Sequence, residues 1–419
     1  MRTTRVSCSM SNYSTVIHGS SKNRFVVTDG MLFLFGLVSF ASTYLFSEGF
    51  LGDQVPDYIY AARLFSFYPM LLNEISRQFR YYTADYAALV LVAIAAVSAF
   101  VCGRTNLLLV SLIIFFGRNV DFRLIAKAMV GTIGFWLILI IALSQLSVID
   151  ENYVLVGDRL RSALGFSWPS RPQNYYLTFC MLFVYLKKAD IKWIHIFVLV
   201  LFALLMFSKT DSRSPFLLTL ILFGLVSLHK LDVLHLLSKG LKSLLVPIFI
   251  FSMLLTFVSA LLYSPGSPMA TVLNAIFSNR LAYSHNAFML YPITLFGSPV
   301  FGAQNDGWFG SYIDSAYMNL LFTYGFIILV FWIYGLTKVV CWAFDNKDEY
   351  LLVCLMVTAL HGIPEAQLIM IQYTPFLILL PSAMAWSYAK NIKKRGSAFT
   401  TYCSTKVIKD SIMFEGKRD

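Results

Sequence analysis

Apolar residues occur along the chain in long uninterrupted runs, and the short segments between them carry most of the charged side chains. At a rise of about 1.5 Å per residue, a helix of about 20 residues spans the roughly 30 Å hydrocarbon core of a bilayer. The pattern therefore predicts about twelve transmembrane helices. Their predicted bounds are 30–47, 58–76, 83–102, 105–117, 128–147, 173–186, 193–208, 214–228, 243–263, 314–336, 350–363 and 366–388.

The composition supports this assignment. Of the 419 residues, 58% are hydrophobic and 13% are charged, which is more apolar than a soluble domain can bury. We therefore expect an all-α polytopic membrane protein with one transmembrane domain at 29–389. A short tail at 1–28 and a basic tail at 390–419 flank this domain, and both tails are expected in the cytoplasm.

The basic residues orient the predicted helices, because short loops rich in Lys and Arg stay on the cytoplasmic side. With the N-terminus inside, 25 of the 33 Lys and Arg residues are cytoplasmic, 7 are on the outer side, and Arg63 lies within a span. Arg63 is expected to extend to the outer surface or to meet Asp53 or Asp57. The net charge of +11 then faces anionic lipid headgroups, so it does not indicate a nucleic-acid partner.

One outer segment is much longer than the others. It runs from Ser264 to Ile313 and contains four prolines together with Arg280 and His285. Polar side chains are scarce elsewhere in the chain, so this large extracytoplasmic loop is where we expect chemistry. The unequal lengths of the outer segments further predict that function faces outward.

Arginine predominates among the outer cations, since Lys209 is the one lysine among the seven. A guanidinium group binds two phosphate oxygens at once and keeps its proton, which suits a phosphate or pyrophosphate ligand at the membrane surface. Contact with lipid headgroups is the alternative, and we favour it for Arg104 and Arg171 because they adjoin predicted span ends. The remaining outer arginines are Arg159, Arg161, Arg213 and Arg280.

Three outer residues are candidates for a general base that takes a proton from a hydroxyl group. The imidazole of His285 suits this role, although an ordinary hydrogen-bonded loop histidine is the alternative. Asp314 and Tyr317 are three residues apart at the predicted start of a helix, so both should project from one face. Asp314 and Glu365 also fit simple helix capping, which is the alternative for both.

Several motif classes are missing. The sequence has no Asp-x-Asp for a metal-bound nucleotide sugar, no Gly-rich phosphate loop for ATP and no His or Cys pattern for zinc. We therefore expect neither a metal nor a cofactor. A lipid pyrophosphate carries its own leaving group, and arginines can stabilise the charge that develops on it.

Four short patches follow one another on the predicted outer side. They are R-L-R-S-A-L-G-F-S-W-P at Arg159 to Pro169; D-S-R-S-P at Asp211 to Pro215; N-R-L at Asn279 to Leu281, with L-F-G at Leu295 to Gly297 and D-S-A-Y at Asp314 to Tyr317 leading to Tyr324-Gly325; and Glu365 with T-P-F at Thr374 to Phe376. In this order they resemble the Wzy-type polysaccharide polymerases of the O-antigen polymerase and ligase superfamily. Ser170 stands where that family usually has Asn.

The resemblance implies a GT-C-like helical architecture in the bacterial cytoplasmic membrane. It implies a metal-independent glycosyltransferase that polymerises oligosaccharide repeat units of O-antigen, capsule or exopolysaccharide on the outer face. The growing chain on undecaprenyl pyrophosphate would be transferred to the incoming lipid-linked unit. Lipid-linked oligosaccharides and membrane lipids are the expected partners, and a chain-length regulator and a flippase are candidate partners.

The resemblance and the residue types together suggest roles for single side chains. Arg280 and Arg213 would hold the donor pyrophosphate, and Arg159 and Arg161 would assist either lipid carrier. Tyr317 would join the residues that bind substrate. In this scheme the acceptor hydroxyl loses its proton to one of the three candidate bases, and the sequence does not select one of them.

Two other functions remain open from the sequence. The related O-antigen ligases carry a His-Asn element in the large loop, and Ser284-His285-Asn286 is similar to it. A flippase or other transporter is the second alternative. It would require polar groups around a cavity in the middle of the membrane, whereas the predicted spans are nearly uncharged.

Overall fold

The computed structural model of the chain describes residues 23–51, 56–76, 83–156, 159–232, 245–276, 279–300 and 313–388, and these are mostly helical. Most of the two predicted tails and residues 301–312 of the large loop lie outside them. The described helices that are long and apolar enough to cross a membrane are Gly30–Leu51, Asp85–Cys102, Phe122–Gln145, Trp193–Thr210 and Phe326–Asp345. The chain is therefore a helical membrane protein, as its composition predicts.

The first part of the chain alternates long helices with short turns and contains one β-hairpin. In chain order the elements are α1 (Asn23–Phe46), which continues as a π-helical turn at Ser47–Leu51, α2 (Asp57–Phe65), α3 (Phe67–Ser76), α4 (Thr83–Cys102), α5 (Asn106–Gly117), α6 (Phe122–Gln145), β1 (Tyr153–Val156), β2 (Arg159–Ser162), α7 (Ser170–Lys187), α8 (Trp193–Thr210) and α9 (Arg213–Lys230). The sequence did not lead us to expect the hairpin.

The second part has shorter and more irregular elements. They are α10 (Ile248–Leu262), α11 (Pro268–Ile276), α12 (Arg280–Leu290), α13 (Ala316–Asn319) with a π-helical turn at Leu320–Tyr324, α14 (Phe326–Asp345), α15 (Glu349–His361), and 3-10 turns at Ala366–Ile369 and Pro375–Leu379. The last turn continues into an apolar helix that ends at Tyr388. In its described residues, the predicted outer loop contains the helices α11 and α12.

Three predicted spans are not single helices. The span at 58–76 is divided into α2 and α3 at Ser66, whose hydroxyl donates to the carbonyl of Arg63 at 2.5 Å. The span at 314–336 is interrupted before α14, and the span at 366–388 begins with two 3-10 turns. Irregular backbone is tolerated at membrane depth only where protein surrounds it, and 366–383 is almost entirely buried.

The interruption before α14 arises from a close contact between two glycine backbones. Gly325 has a φ of 101°, and a Cβ atom on it would lie 2.3 Å from the backbone nitrogen of Gly297. The Phe326 N–H donates to the Thr294 carbonyl at 2.9 Å, which holds the two segments together. The Leu-Phe-Gly and Tyr-Gly patches of the sequence therefore meet at this point. Both need glycine, because only glycine tolerates a positive φ together with so close an approach of the two backbones.

Helix α7 lies at the centre of the bundle. It packs against α6, α8, α9 and α15, while α1 packs against α3 and α6. Most side chains of α7 are buried, including the polar residues Gln173 and Asn174. Buried amides in an apolar bundle are costly unless they are hydrogen-bonded, so their partners indicate where the polar interior of the protein lies.

Arg63 corrects one expectation. Its guanidinium is buried, donates to the Ser47 hydroxyl at 2.8 Å and lies 3.7 Å from the centre of the Tyr44 ring. It therefore neither reaches the surface nor pairs with Asp57 in the described part of the chain, and Asp53 lies outside the described residues. The Tyr44 ring stabilises the buried guanidinium through a cation–π contact, which the sequence did not predict.

Candidate functional site

Five segments that are distant in sequence meet at one end of the bundle. They are the first turns of α7, α9 and α12, the segment before α13 and the segment after α15. Asn279 helps to create this meeting point, because its left-handed backbone (φ 67°) turns the chain directly into α12. We call the group that meets here the arginine–carboxylate cluster, and its members are Asn174, Ser214, Arg280, Asp314 and Glu365.

Arg280 is the centre of this cluster. Its Nη2 atom lies 2.5 Å from Glu365 Oε1, its Nη1 donates to the Ser214 hydroxyl at 2.9 Å, and its Nε lies 3.6 Å from Asp314 Oδ2. The side chains of Arg280, Asp314 and Glu365 are 21%, 23% and 10% exposed. The cluster is therefore closely packed but remains accessible from outside the bundle.

Two residues that the sequence analysis did not select support Glu365 from within the bundle. The Asn174 amide donates to Glu365 Oε2 at 3.4 Å, and its oxygen lies 3.0 Å from His361 Nε2. Because an amide oxygen only accepts hydrogen bonds, His361 Nε2 is the donor. Both residues are buried, so this chain of hydrogen bonds runs from the bundle interior to the carboxylate.

A second charged group lies between α8, α9 and the hairpin. Arg159 donates to Asp211 Oδ2 at 2.6 Å, and the Nε of Arg213 lies 3.6 Å from Asp211 Oδ1. Asp211 ends α8 in a left-handed conformation, which places its carboxylate between the two arginines. The Arg213 side chain is 51% exposed, and it is the most accessible of the site arginines for which an ion pair is found.

Arg161 lies near both groups, within electrostatic range of Asp211, Arg280 and Glu365. It donates to the Thr210 carbonyl at 2.8 Å and to the Ser212 hydroxyl at 3.0 Å. Burial lowers the pKa of Arg161, and the nearby positive charges of Arg159 and Arg280 lower it further. Arginine remains charged despite such shifts. The two groups and Arg161 together contain four arginines and three carboxylates, which favours an anionic ligand.

Asp314 has an unusual protonation equilibrium for a carboxyl group. Burial raises its pKa to about 6, the negative charge of Glu365 acts in the same direction, and Arg280 acts against both. An aspartate in water titrates near 3.9. Asp314 is thus mainly ionised near neutrality but is a much stronger base than an exposed aspartate.

His285 and Tyr317, which the sequence analysis placed in the site, hydrogen-bond to backbone carbonyls and not to the two carboxylates. His285 donates from Nδ1 to the Ala260 carbonyl at 2.9 Å, and it is five residues, or about 140° around the helix, from Arg280. Tyr317 is fully buried, and its hydroxyl donates to the Ala359 carbonyl at 2.8 Å. Since α13 begins at Ala316, Asp314 precedes the helix and does not share a helical face with Tyr317.

The alternatives for the outer residues can also be compared with the structure. Neither Asp314 nor Glu365 caps a helix through its side chain, because Ser315 is the N-cap of α13 and Glu365 makes no capping hydrogen bond. Arg104 donates to the Val300 carbonyl, and Arg171 lies 3.4 Å from Glu48. These two arginines therefore have partners within the protein, where we had favoured lipid headgroups.

The described residues contain no group of three or more His, Cys, Asp or Glu side chains that could hold a metal ion. Comparisons with protein-family models, with curated proteins and with solved structures found no match for the chain. The family resemblance in the sequence therefore stays a prediction. The arrangement of charged side chains is the observation from which a function can be argued.

Proposed function

We propose that the protein polymerises undecaprenyl-pyrophosphate-linked oligosaccharide units on the outer face of a bacterial cytoplasmic membrane. The observation that carries this proposal is the arginine–carboxylate cluster, in which one partly accessible guanidinium lies 2.5 Å from the Glu365 carboxylate and 3.6 Å from the Asp314 carboxylate. An enzyme that transfers sugar from a lipid pyrophosphate needs a cation for the leaving group and a base for the acceptor hydroxyl. The cluster contains the cation, Arg280, and two candidate bases, Asp314 and Glu365, in contact with it.

In the proposed reaction Arg280 binds the donor pyrophosphate, and Arg213 is the second ligand because it is the more exposed arginine. The acceptor hydroxyl oxygen attacks the anomeric carbon of the growing chain. The bond from that carbon to the pyrophosphate oxygen breaks, and the pyrophosphate leaves with the bonding electrons. The hydroxyl proton passes to a carboxylate, so the step needs no oxidant, metal or nucleotide.

Asp314 is the base that the geometry favours. Its contact with Arg280 is 3.6 Å, whereas Glu365 is held at 2.5 Å and also accepts from Asn174. An incoming pyrophosphate would therefore displace Asp314 from the guanidinium more easily than Glu365. The pKa of Asp314, raised by burial to about 6, also suits proton transfer near neutrality.

The finer topology belongs to the same proposal. We infer about twelve spans in a GT-C-like arrangement with both termini in the cytoplasm. The support is that every predicted span contains a helical segment in the described residues, and that Arg280, Asp314 and Glu365, which come from separate predicted outer segments, lie together. Five of these helices meet the length and hydropathy expected of a span. The others include the shorter apolar helices Asn106–Gly117, Ile248–Leu262, Glu349–His361 and Pro375–Tyr388.

Reconstitution tests the proposal directly. Purified protein in vesicles is incubated with a lipid-linked repeat unit, and the products are separated by size. A ladder of polymers on the lipid carrier is the expected result. Transfer to a different acceptor would instead identify a ligase, and movement of the substrate across the membrane without bond formation would identify a transporter. Either result overturns the proposal.

Variants of Arg280 connect the activity to the cluster. Arg280→Lys keeps the charge but cannot contact Glu365, Ser214 and Asp314 together, so we expect a loss of activity of about 100-fold or more. Lys209→Ala is the matched control, because Lys209 is an exposed cation in the last turn of α8, close in sequence to the site but outside the arginine–carboxylate cluster. Full activity of Arg280→Lys would show that the planar guanidinium is unnecessary.

A further inference from the structure

The hairpin formed by β1 and β2 has its apolar and polar faces in an unusual arrangement. Leu155 pairs with Leu160, and Tyr153 pairs with Ser162, so these four residues share one face. Tyr153, Leu155 and Leu160 are 58%, 69% and 66% exposed, whereas Ser162 is buried and donates to the Glu151 carboxylate, which also accepts from the Tyr153 hydroxyl at 2.9 Å. In a water-soluble protein the apolar face of a sheet packs on the core and the polar face meets solvent. This hairpin has the opposite orientation.

The other face of the hairpin is directed towards the protein and combines the apolar Val154 with two charged residues. It carries Arg159 and Arg161, which bind Asp211, Thr210 and Ser212 through the contacts described above. These hydrogen bonds fix the orientation of the hairpin. The leucine face therefore cannot turn inward without breaking them, and its exposure is a consequence of where the arginines bind.

Apolar side chains are also exposed near the hairpin, although the segment that leads into it contains the polar residues Asp150, Glu151 and Asn152. The residues that follow α6, Leu146 and Val148, are 72% and 65% exposed. Strand β2 packs against α8, whose residues Leu204 and Leu205 also face outward. Both α6 and α8 are among the helices that can cross a membrane. The hairpin thus adjoins helices that are long and apolar enough to cross a membrane and that expose apolar side chains.

We propose that the β1–β2 hairpin lies in the headgroup region of the outer leaflet, with Tyr153, Leu155 and Leu160 in contact with bilayer lipids. A two-stranded hairpin is only marginally stable in water, whereas lipid on one face and ion pairs on the other would stabilise both faces. A tyrosine at the boundary is typical of the interfacial aromatic belt. The arrangement would also hold Arg159 and Arg161 at the depth of the lipid phosphates.

The location of the hairpin can be measured without any activity assay. Single cysteines are introduced as Leu155→Cys or Leu160→Cys in the full-length protein and labelled with a nitroxide. The protein is placed in vesicles of phosphatidylethanolamine and phosphatidylglycerol. Collision rates with oxygen, which concentrates in lipid, and with a water-soluble nickel chelate are then compared. The spectrum of the labelled unsubstituted protein is subtracted, because the chain has six native cysteines.

Matched positions calibrate the measurement. Leu205→Cys on α8 is the lipid reference, Ser264→Cys at an exposed turn is the water reference, and Val154→Cys reports the inner face of the hairpin. We expect the oxygen-to-nickel ratio at Leu155 and Leu160 to approach that at Leu205 and to exceed that at Ser264. The label at Val154 should be less accessible to both reagents.

Two outcomes would overturn the proposal. A ratio at both leucines that equals the Ser264 value would place the hairpin in water. An immobilised label with low accessibility to both reagents would indicate a protein partner or a second copy of the chain on this face. Both substituted side chains are exposed, so the variants should fold, and agreement between the two positions guards against a local effect of the label. Neither outcome depends on whether the protein is a polymerase.

Discussion

The ion pair between Arg280 and Glu365 leads to a quantitative prediction about stability. We consider Arg280→Gln, Glu365→Gln and the double variant, since glutamine keeps most of the volume of each side chain and removes its charge. The two side chains are 21% and 10% exposed, and their nearest atoms are 2.5 Å apart. The pair is therefore shielded from water on most sides, and it should contribute more than an ion pair at the surface.

The magnitude follows from this geometry. Two unit charges about 4 Å apart interact by about 4 kcal/mol at an effective dielectric constant near 20. Removing one partner of a buried pair costs about 3–5 kcal/mol, because the other charge is left without compensation. We therefore expect Arg280→Gln to lower the free energy of unfolding by about 3–4 kcal/mol, and the coupling energy of the cycle to be about 2–3 kcal/mol.

The destabilisation caused by Arg280→Gln should also depend on pH, because Arg280 contacts the titratable carboxyl group of Asp314. Burial raises the pKa of this carboxyl to about 6, so it is ionised at roughly pH 8 and mostly protonated at roughly pH 5. Burial of the ionised Asp314 carboxylate lowers the free energy of unfolding. This loss of stability develops as the pH rises from the pKa of an unfolded aspartate to the folded pKa of about 6. Arg280→Gln removes the cation that offsets this cost, so the substitution should be less destabilising at the lower pH.

Unfolding of the four purified proteins in detergent, at both pH values, tests these expectations. Lys209→Gln is the control, because it removes an exposed outer cation and should change stability by less than about 0.5 kcal/mol. A coupling energy near zero would refute the reasoning about the ion pair. An equal cost of Arg280→Gln at both pH values would refute the role assigned to Asp314.

Three further predictions concern single residues. The rate of polymer formation should increase with pH around an apparent pKa near 6. Asp314→Asn should lower this rate by about 100-fold or more and remove its pH dependence. An unchanged pH profile in the variant would exclude Asp314 as the base. Asn174→Leu should reduce kcat by about 10–100-fold with little change in KM, because Glu365 loses a donor that orients it, and steady-state kinetics will check this. Gly325→Ala should cost about 3 kcal/mol or more in thermal unfolding, whereas Gly224→Ala, where a Cβ would meet no atom within 4 Å, should be tolerated.

The helical content was accessible from the sequence because apolar runs of membrane length have few alternatives to helix. The interruptions were not accessible, since they depend on partners elsewhere in the chain. Thr178 donates to the carbonyl of Tyr373, and Thr374 donates to the carbonyl of Gln367. Such bonds allow the backbone of this region to depart from a helix inside the bundle. Hydropathy alone cannot report them.

The site was partly accessible for a related reason. The positive-inside rule and residue type were enough to select Arg280, Asp314 and Glu365, because charged outer residues are few. Their pairing depends on how α12 and the segment after α15 pack, which no local pattern encodes. Asn174 was missed, although a signal was present: two amides at 173–174 in an otherwise apolar run are expensive in a membrane and should have a partner.

The hairpin was overlooked because its polar and apolar faces are reversed relative to a strand of a water-soluble protein. The side chains of β2 alternate between polar and apolar, and the pairing of β1 with β2 places the leucines and the arginines on opposite faces, so the leucines are exposed and the arginines contact the protein. In a protein surrounded by lipid, an exposed apolar face is stabilising and a charged face needs partners in the protein. Alternation in a short outer segment of a membrane protein is therefore evidence for a strand whichever face carries the apolar residues. The arginines of such a segment indicate which face contacts the protein.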